Sequence, residues 1–129
     1  MGIAKSLDSV PGSIPKVAMV AAPYTHKLIS GETVKENDCD LLVRAISVGQ
    51  PHRAVPITVS MALAVASRLE GSVVKEVTSS NPVDKDGVTI GHNSGKLLVG
   101  ANFNAEGAVK DATVFRTARR IMEGTVYAN

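Results

Sequence analysis

No tryptophan occurs in this chain, and two phenylalanines and two tyrosines are the only aromatic side chains besides histidine among its 129 residues. A core must therefore be assembled from Val, Ala, Leu, Ile and Met, and stacking platforms for single-stranded nucleic acid are not to be expected. Cysteine is nearly absent. Cys39 alone rules out an internal disulfide framework and a zinc cluster built on several cysteines, and it suits a reducing compartment. No apolar run approaches the ~20 residues that a membrane span requires, and no basic-then-apolar signal pattern opens the chain. The expected location is cytoplasmic, with no membrane partner. An excess of one charge is also missing: fourteen basic and twelve acidic residues leave a formal charge of +2. That is too little to argue for DNA or RNA. Arg116, Arg119 and Arg120 form the one basic cluster, and a solvated face accounts for it.

What is present is enough for one compact domain: 44% of residues are hydrophobic and 20% charged. Residues 1–15, rich in Ser, Gly and Pro, have the composition of a leader or linker, which leaves 16–129 as a single domain. Lys16 to Ala22 is a short apolar run closed by Pro23 and predicts a strand. Ser30-Gly31 marks a hairpin bend in the polar stretch His26 to Asn37. Asp40 to Val48 fits a helical face or a strand entering Gly49. Ser72 to Thr78, Val88 to Ile90, Lys96 to Phe103 and Ala108 to Phe115 predict further strands, with Ser79 to Gly87 and Gly91 to Gly95 as loops. Arg116 to Asn129 is in conflict, helix-forming over Thr117 to Met122 and strand-forming over Thr125 to Tyr127.

The most informative stretch is Ser47 to Ala54, a Gly-x-Pro-His turn followed by the apolar run Val55 to Leu69. Thr58 has the character of an N-cap, with Pro56 just upstream, and Gly71 that of a left-handed C-terminal cap. Val59 to Leu69 is apolar on nearly every face, so this helix belongs inside the protein. The free N–H groups at its start form a ready site for a carboxylate or phosphate. Composition and periodicity together predict an α+β domain in which five to seven short strands surround one buried helix.

Four segments carry a family resemblance: SVGQPHRAVPIT (Ser47 to Thr58), LAVASRLEGSVV (Leu63 to Val74), IGHNSG (Ile90 to Gly95) and RTARRIMEGTVY (Arg116 to Tyr127). In this order they resemble the C-terminal half of the 2-methylaconitate cis–trans isomerase family, which is similar in fold to diaminopimelate epimerase and proline racemase. The resemblance runs from about Pro15 to the end. It implies a diaminopimelate epimerase-like half, a curved mixed β-sheet wrapped around one central helix at about 58–69, and it favours a strand at Arg116 to Tyr127. It also implies a small unsaturated di- or tricarboxylic acid as substrate, no cofactor, and acid–base Lys and Cys residues in an N-terminal half outside this chain. No catalytic residue is therefore assigned, and the expected partners are that missing half or a second copy. Within the matched segments the family has Met at Val48, Gly at Val59, Pro at Glu70 and Pro at Asn93. Val59 is the departure most able to crowd a ligand at the helix start.

The substrate-binding residues that this reading implies are Ser47, Gly49, Gln50, Pro51, His52, Thr58, Gly91, His92, Ser94 and Gly95. Thr58 and Ser94 hydroxyls would each add a donor to the backbone N–H groups that stabilise an enolate-like carboxylate. Each has a plainer role as well: Thr58 caps the helix, His52 fixes its turn, and His92 lies on an exposed loop. His26, His52 and His92 stand 26 and 40 residues apart, without the short spacings of a metal site. Cys39, between Asp38 and Asp40, is in surroundings that oppose a thiolate. Lys16 and Lys96 are surface charges at strand ends, and Gly91 to Gly95 lacks the features of a phosphate loop. The alternative to an isomerase half is a non-enzymatic, stand-alone half-domain that self-associates or binds a small carboxylate.

Overall fold

The structure is a computed structural model that describes residues 2, 4–12 and 14–127. A six-stranded mixed sheet runs in the order β1-β4-β6-β7-β8, with β5 pairing on β4. Its strands are β1 (Val17–Ala21), β4 (Leu41–Ser47), β5 (Gln50–Pro51), β6 (Val88–His92), β7 (Gly95–Phe103) and β8 (Val109–Val114). A separate small hairpin joins β2 (His26–Lys27) and β3 (Thr33–Val34), turning at Ser30-Gly31 as the sequence predicts. Helix α1 (Ile57–Ala66) and the short α2 (Val73–Val77) make the crossover from β4 to its parallel neighbour β6.

The central strands explain themselves by burial. In β4, Leu41, Val43 and Ala45 are buried, and Leu41 and Val43 pack toward α1. Leu42 packs on the other face with Val34 and Cys39 beneath the β2–β3 hairpin. A strand covered on both faces has a continuous apolar sequence, which is why Asp40 to Val48 also fitted a helical pattern. Ala18 and Val20 of the edge strand β1 and Val114 of the opposite edge strand β8 pack against the same core as Leu63 and Ala64 of α1. The sheet therefore curls far enough for both its edges to reach one helix.

Several expectations are corrected. Helix α1 ends at Ala66, short of Leu69, and Gly71, at φ +74°, shapes the turn into α2 instead of capping α1. Thr58 is not the N-cap: Pro56 holds that position, and no side chain caps the helix. Within Ser72 to Thr78 the chain is helical over Val73–Val77, because Ser72 Oγ accepts the Lys75 N–H at 3.1 Å and turns Val74 and Val77 onto the core. The β-branched residues suggested a strand, but the cap and the packing decide otherwise. Gly91 and His92 belong to β6, not to a loop. Residues 116–127 form no strand or helix. In this arm Ile121, Met122, Val126 and Tyr127 are solvent-exposed, Tyr127 by 99%. The rest of that predicted element, 128–129, lies outside the described residues, as do 1, 3 and 13 of the leader.

The helix is also less enclosed than its composition implies. Ser60, Leu63 and Ala64 are buried, whereas Ile57, Thr58 and Ala62 are exposed. Among the described residues no helix is long and apolar enough to cross a membrane.

Candidate functional site

The N-terminus of α1, the C-terminal ends of β4 and β6 and the start of β7 lie at one end of the sheet. There the link from β5 to α1 meets the β6–β7 turn, where Ser94 Oγ donates to the Arg53 carbonyl at 2.8 Å. Arg53 lies in the same short link as Pro56, so the turn is tied to the helix entry. Ser60 N–H donates to Pro56 O at 2.9 Å, but the N–H groups of Ile57, Thr58 and Val59 have no acceptor among the described residues. These three donors, with the positive end of the helix dipole behind them, form a rim suited to a carboxylate.

His92 is buried to 9% exposure at this rim. Its Nδ1 accepts the Ser94 N–H at 3.1 Å, so the neutral ring carries its proton on Nε2. Burial holds its pKa below the ordinary 6.5; the Arg53 carbonyl opposes that shift, and the charges of Arg44 and Arg116 reinforce it. The sequence reading of His92 as a loop residue missed this, because burial at a strand end depends on the distant Arg53 link folding back over it.

The other expected residues divide. Ser47, half-buried at the end of β4, accepts a hydrogen bond from Lys16 Nζ at 3.3 Å. Val48 (φ +52°) and Gly49 (φ +68°) form a two-residue hairpin turn, after which Gln50 and Pro51 return as β5. His52 N–H donates to Ala45 O at 2.8 Å. The side chains of Gln50, Pro51 and His52 are exposed and hydrogen-bond to no other described residue. Thr58 is exposed in the first turn and, with Lys16, Ala18, Val59, Ala62 and Ala66, borders an open groove of about 380 Å³. Val59 thus faces the groove and the edge of the core. Gly91 points away from α1: a Cβ there would stand 2.7 Å from Leu42 Cδ2 and 3.1 Å from Cys39 Sγ. Close packing between β6 and β4 is reason enough for glycine at this position. Gly95 opens β7 directly after the turn.

A second cavity, about 540 Å³, lies at the far end of α1 beside Ser67, Arg68 and the 79–87 connection. Its one buried acid, Asp40, is fully engaged: Oδ1 accepts Val83 N–H at 2.8 Å and Oδ2 accepts Thr89 N–H at 2.7 Å. Cys39 is buried, and desolvation, with Asp40 and Asp38 adding to it and Lys96 opposing, raises its pKa. That agrees in direction with the expectation for this thiol, although burial is the larger cause. Among the described residues no group of three or more His, Cys, Asp or Glu side chains converges as a metal site would.

The PrpF protein family matches the chain over residues 1–129. The chain belongs to the PrpF family. A 2-methyl-aconitate isomerase of Shewanella oneidensis is 39% identical over 131 aligned positions, covering 98% of this chain and 32% of that protein. A 3-methylitaconate isomerase of Eubacterium barkeri is 34% identical over 116 positions, covering 89% of this chain and 30% of that protein. The crystal structure of a methylitaconate-delta-isomerase superposes with a TM-score of 0.73 at 33% identity, over 88% of this chain and 29% of that one. The fold of this PrpF-family chain is accordingly diaminopimelate epimerase-like, and the chain spans about a third of the length of the curated relatives it matches.

Proposed function

We propose that the chain is the carboxylate-binding C-terminal part of an isomerase for small unsaturated di- or tricarboxylic acids of the 2-methylaconitate, aconitate or methylitaconate type. The observation that carries this reading is the uncapped rim of α1, whose three free N–H groups lie beside a β6–β7 turn that Ser94 ties to Arg53. The isomerase relatives add support from sequence. In an allylic proton shift, a base removes a proton from the carbon next to the double bond. The electron pair spreads through the conjugated system onto a carboxylate oxygen, and an acid returns a proton at the far end. The rim would hold that carboxylate and stabilise the charge gathering on it, with the Thr58 and Ser94 hydroxyls as added donors. The groups that move the proton would come from sequence that the relatives carry beyond the part matched here. The reading takes the protein to be cytoplasmic, where Cys39 stays reduced.

Amide shifts of the isotopically labelled chain, titrated with cis-aconitate, test the binding role. Shifts centred on Thr58 to Ser60 and on His92 to Gly95 are expected. A saturable response elsewhere, or none up to millimolar acid, would overturn it. Proton NMR in D₂O with aconitate and methylitaconate then tests whether the chain alone exchanges the allylic proton.

The open face of α1 and the exposed apolar arm favour a second reading, a stand-alone half-domain that covers these surfaces by self-association. Light scattering should then give a dimer or larger species, and a monomer across a wide concentration range would count against it.

A further inference from the structure

The small net charge of the chain conceals a strong segregation. No acidic residue occurs in 41–69, 87–105 or 112–122, and none in 9–31. The topology brings parts of all four stretches to the rim above α1: the start of β1, the β5–α1 link, the β6–β7 turn and the end of β8. Most basic residues elsewhere have an acid close by in the chain, such as Glu76 beside Lys75, Asp84 and Asp86 beside Lys85, and Asp111 beside Lys110. Lys96 turns to the outer face, where Glu32 and Asp38 line the same hollow. Lys16 and Arg116 have no such neighbour. Lys16 is anchored through Ser47 at the mouth of the groove that Thr58 and Val59 border. Arg116 follows β8, the opposite edge of the sheet, whose end runs beside the start of β7: Phe115 N–H donates to Leu98 O at 3.1 Å, three residues beyond the Gly95 that pairs with His92. Lys16 thus stands beside the first turn of α1, and Arg116 leaves the opposite edge strand at the same end of the sheet.

We propose that Lys16 and Arg116 are specificity-determining residues that pair with the outer carboxylates of the acid held at the α1 rim, and so set how many carboxylates it must carry. The inference rests on the isomerase reading and extends it to two residues outside its set of binding residues. An acid with one carboxylate would engage the rim alone, whereas one with two or three would also gain one or both cations. Such pairing between partly exposed groups is screened by salt.

The test is an amide-shift titration of the whole chain with butyrate, glutarate and tricarballylate, which carry one, two and three carboxylates, at low and at high salt. Tricarballylate is expected to bind most tightly and to lose most of its advantage at high salt. Lys16→Gln and Arg116→Gln should each weaken tricarballylate by roughly fivefold, as expected for one exposed ion pair, and leave butyrate within about twofold. Lys16→Arg should retain the preference, and Lys110→Gln, on the outer end of β8, should alter nothing. Equal affinities for the three acids, or variants that weaken butyrate as much as tricarballylate, would overturn the proposal. Butyrate shifts at Thr58 and Gly95 would persist in that case and leave the rim reading intact. Loss of all binding at the rim would remove both.

Discussion

Replacing Asp40 by alanine should be the most damaging single change in this molecule, although Asp40 lies at the far end of α1 from the candidate site. Its carboxylate is 1% exposed, and its oxygens accept the Val83 and Thr89 N–H groups at 2.8 and 2.7 Å. Its backbone adds two more links, Asp40 N–H to Thr89 O and Ser79 N–H to Asp40 O, both at 2.8 Å. One residue thus ties the start of β4 to both ends of the 79–89 connection and sets where β6 enters the sheet. Asp40→Ala leaves the buried Thr89 N–H and the partly buried Val83 N–H without acceptors at about 1–3 kcal/mol each, so a loss of about 4 kcal/mol is expected. Asp40→Asn keeps one acceptor and turns an NH₂ group toward the other N–H, for a loss of about 2–3 kcal/mol. Against a total of about 5–15 kcal/mol for an ordinary domain, either is a large fraction. With no tryptophan to report, circular dichroism in urea is the suitable assay. A slope of about 2 kcal/mol per molar puts the midpoint of the alanine variant about 2 M lower, and that of the asparagine variant about 1 M lower. Hydrogen exchange at Val83 and Thr89 should accelerate in both. An alanine variant whose midpoint stays within about 0.3 M of the parent, or whose Val83 and Thr89 amides keep their protection, would refute the reasoning.

Val48, a β-branched residue at φ +52° and 70% exposed, should be improved by Val48→Gly, which relieves about 1 kcal/mol of backbone strain; a lower urea midpoint would contradict this. Gly91→Ala should destabilise by about 1–3 kcal/mol through its clash with Leu42 and Cys39, and adding Cys39→Ala should recover part of the loss; a neutral Gly91→Ala would mean that β6 and β4 can separate freely. Because His92 has a lowered pKa, the folded chain binds fewer protons than the unfolded one just below pH 6.5. Stability should therefore be complete above that value and fall as the pH drops toward the folded pKa, with the fall flattened in His92→Gln; equal pH slopes in the two proteins would exclude His92 as the source. The Cys39 thiol, buried and raised in pKa, should resist a disulfide reagent until the chain unfolds, and rapid labelling of the native protein would contradict that burial.

The sequence by itself determined the features that local chemistry controls. The Ser30-Gly31 bend, the strand at Val17 to Ala21 and the alternating strands near 96–103 and 108–115 depend on turn residues and period-two patterning within a few positions. The apolar helix after Pro56 likewise announces itself in its own residues, and four ordered segments were enough to indicate the family and the curled sheet around one helix. Tertiary structure decided the rest. Two valines at 73 and 74 favour a strand until Ser72 caps the turn and the core takes Val74 and Val77. Asp40 is an ordinary acid in sequence, and only partners more than forty positions away make it a clamp. His92 is buried because the Arg53 link and the β6–β7 turn close over the end of β6. The arm at 116–127 has strand-forming residues, but a strand needs a neighbour, and among the described residues none pairs with it. The acid-free stretches are legible in the sequence behind its small net charge, but which of their cations become neighbours is settled by how the sheet curls and not by their order in the chain.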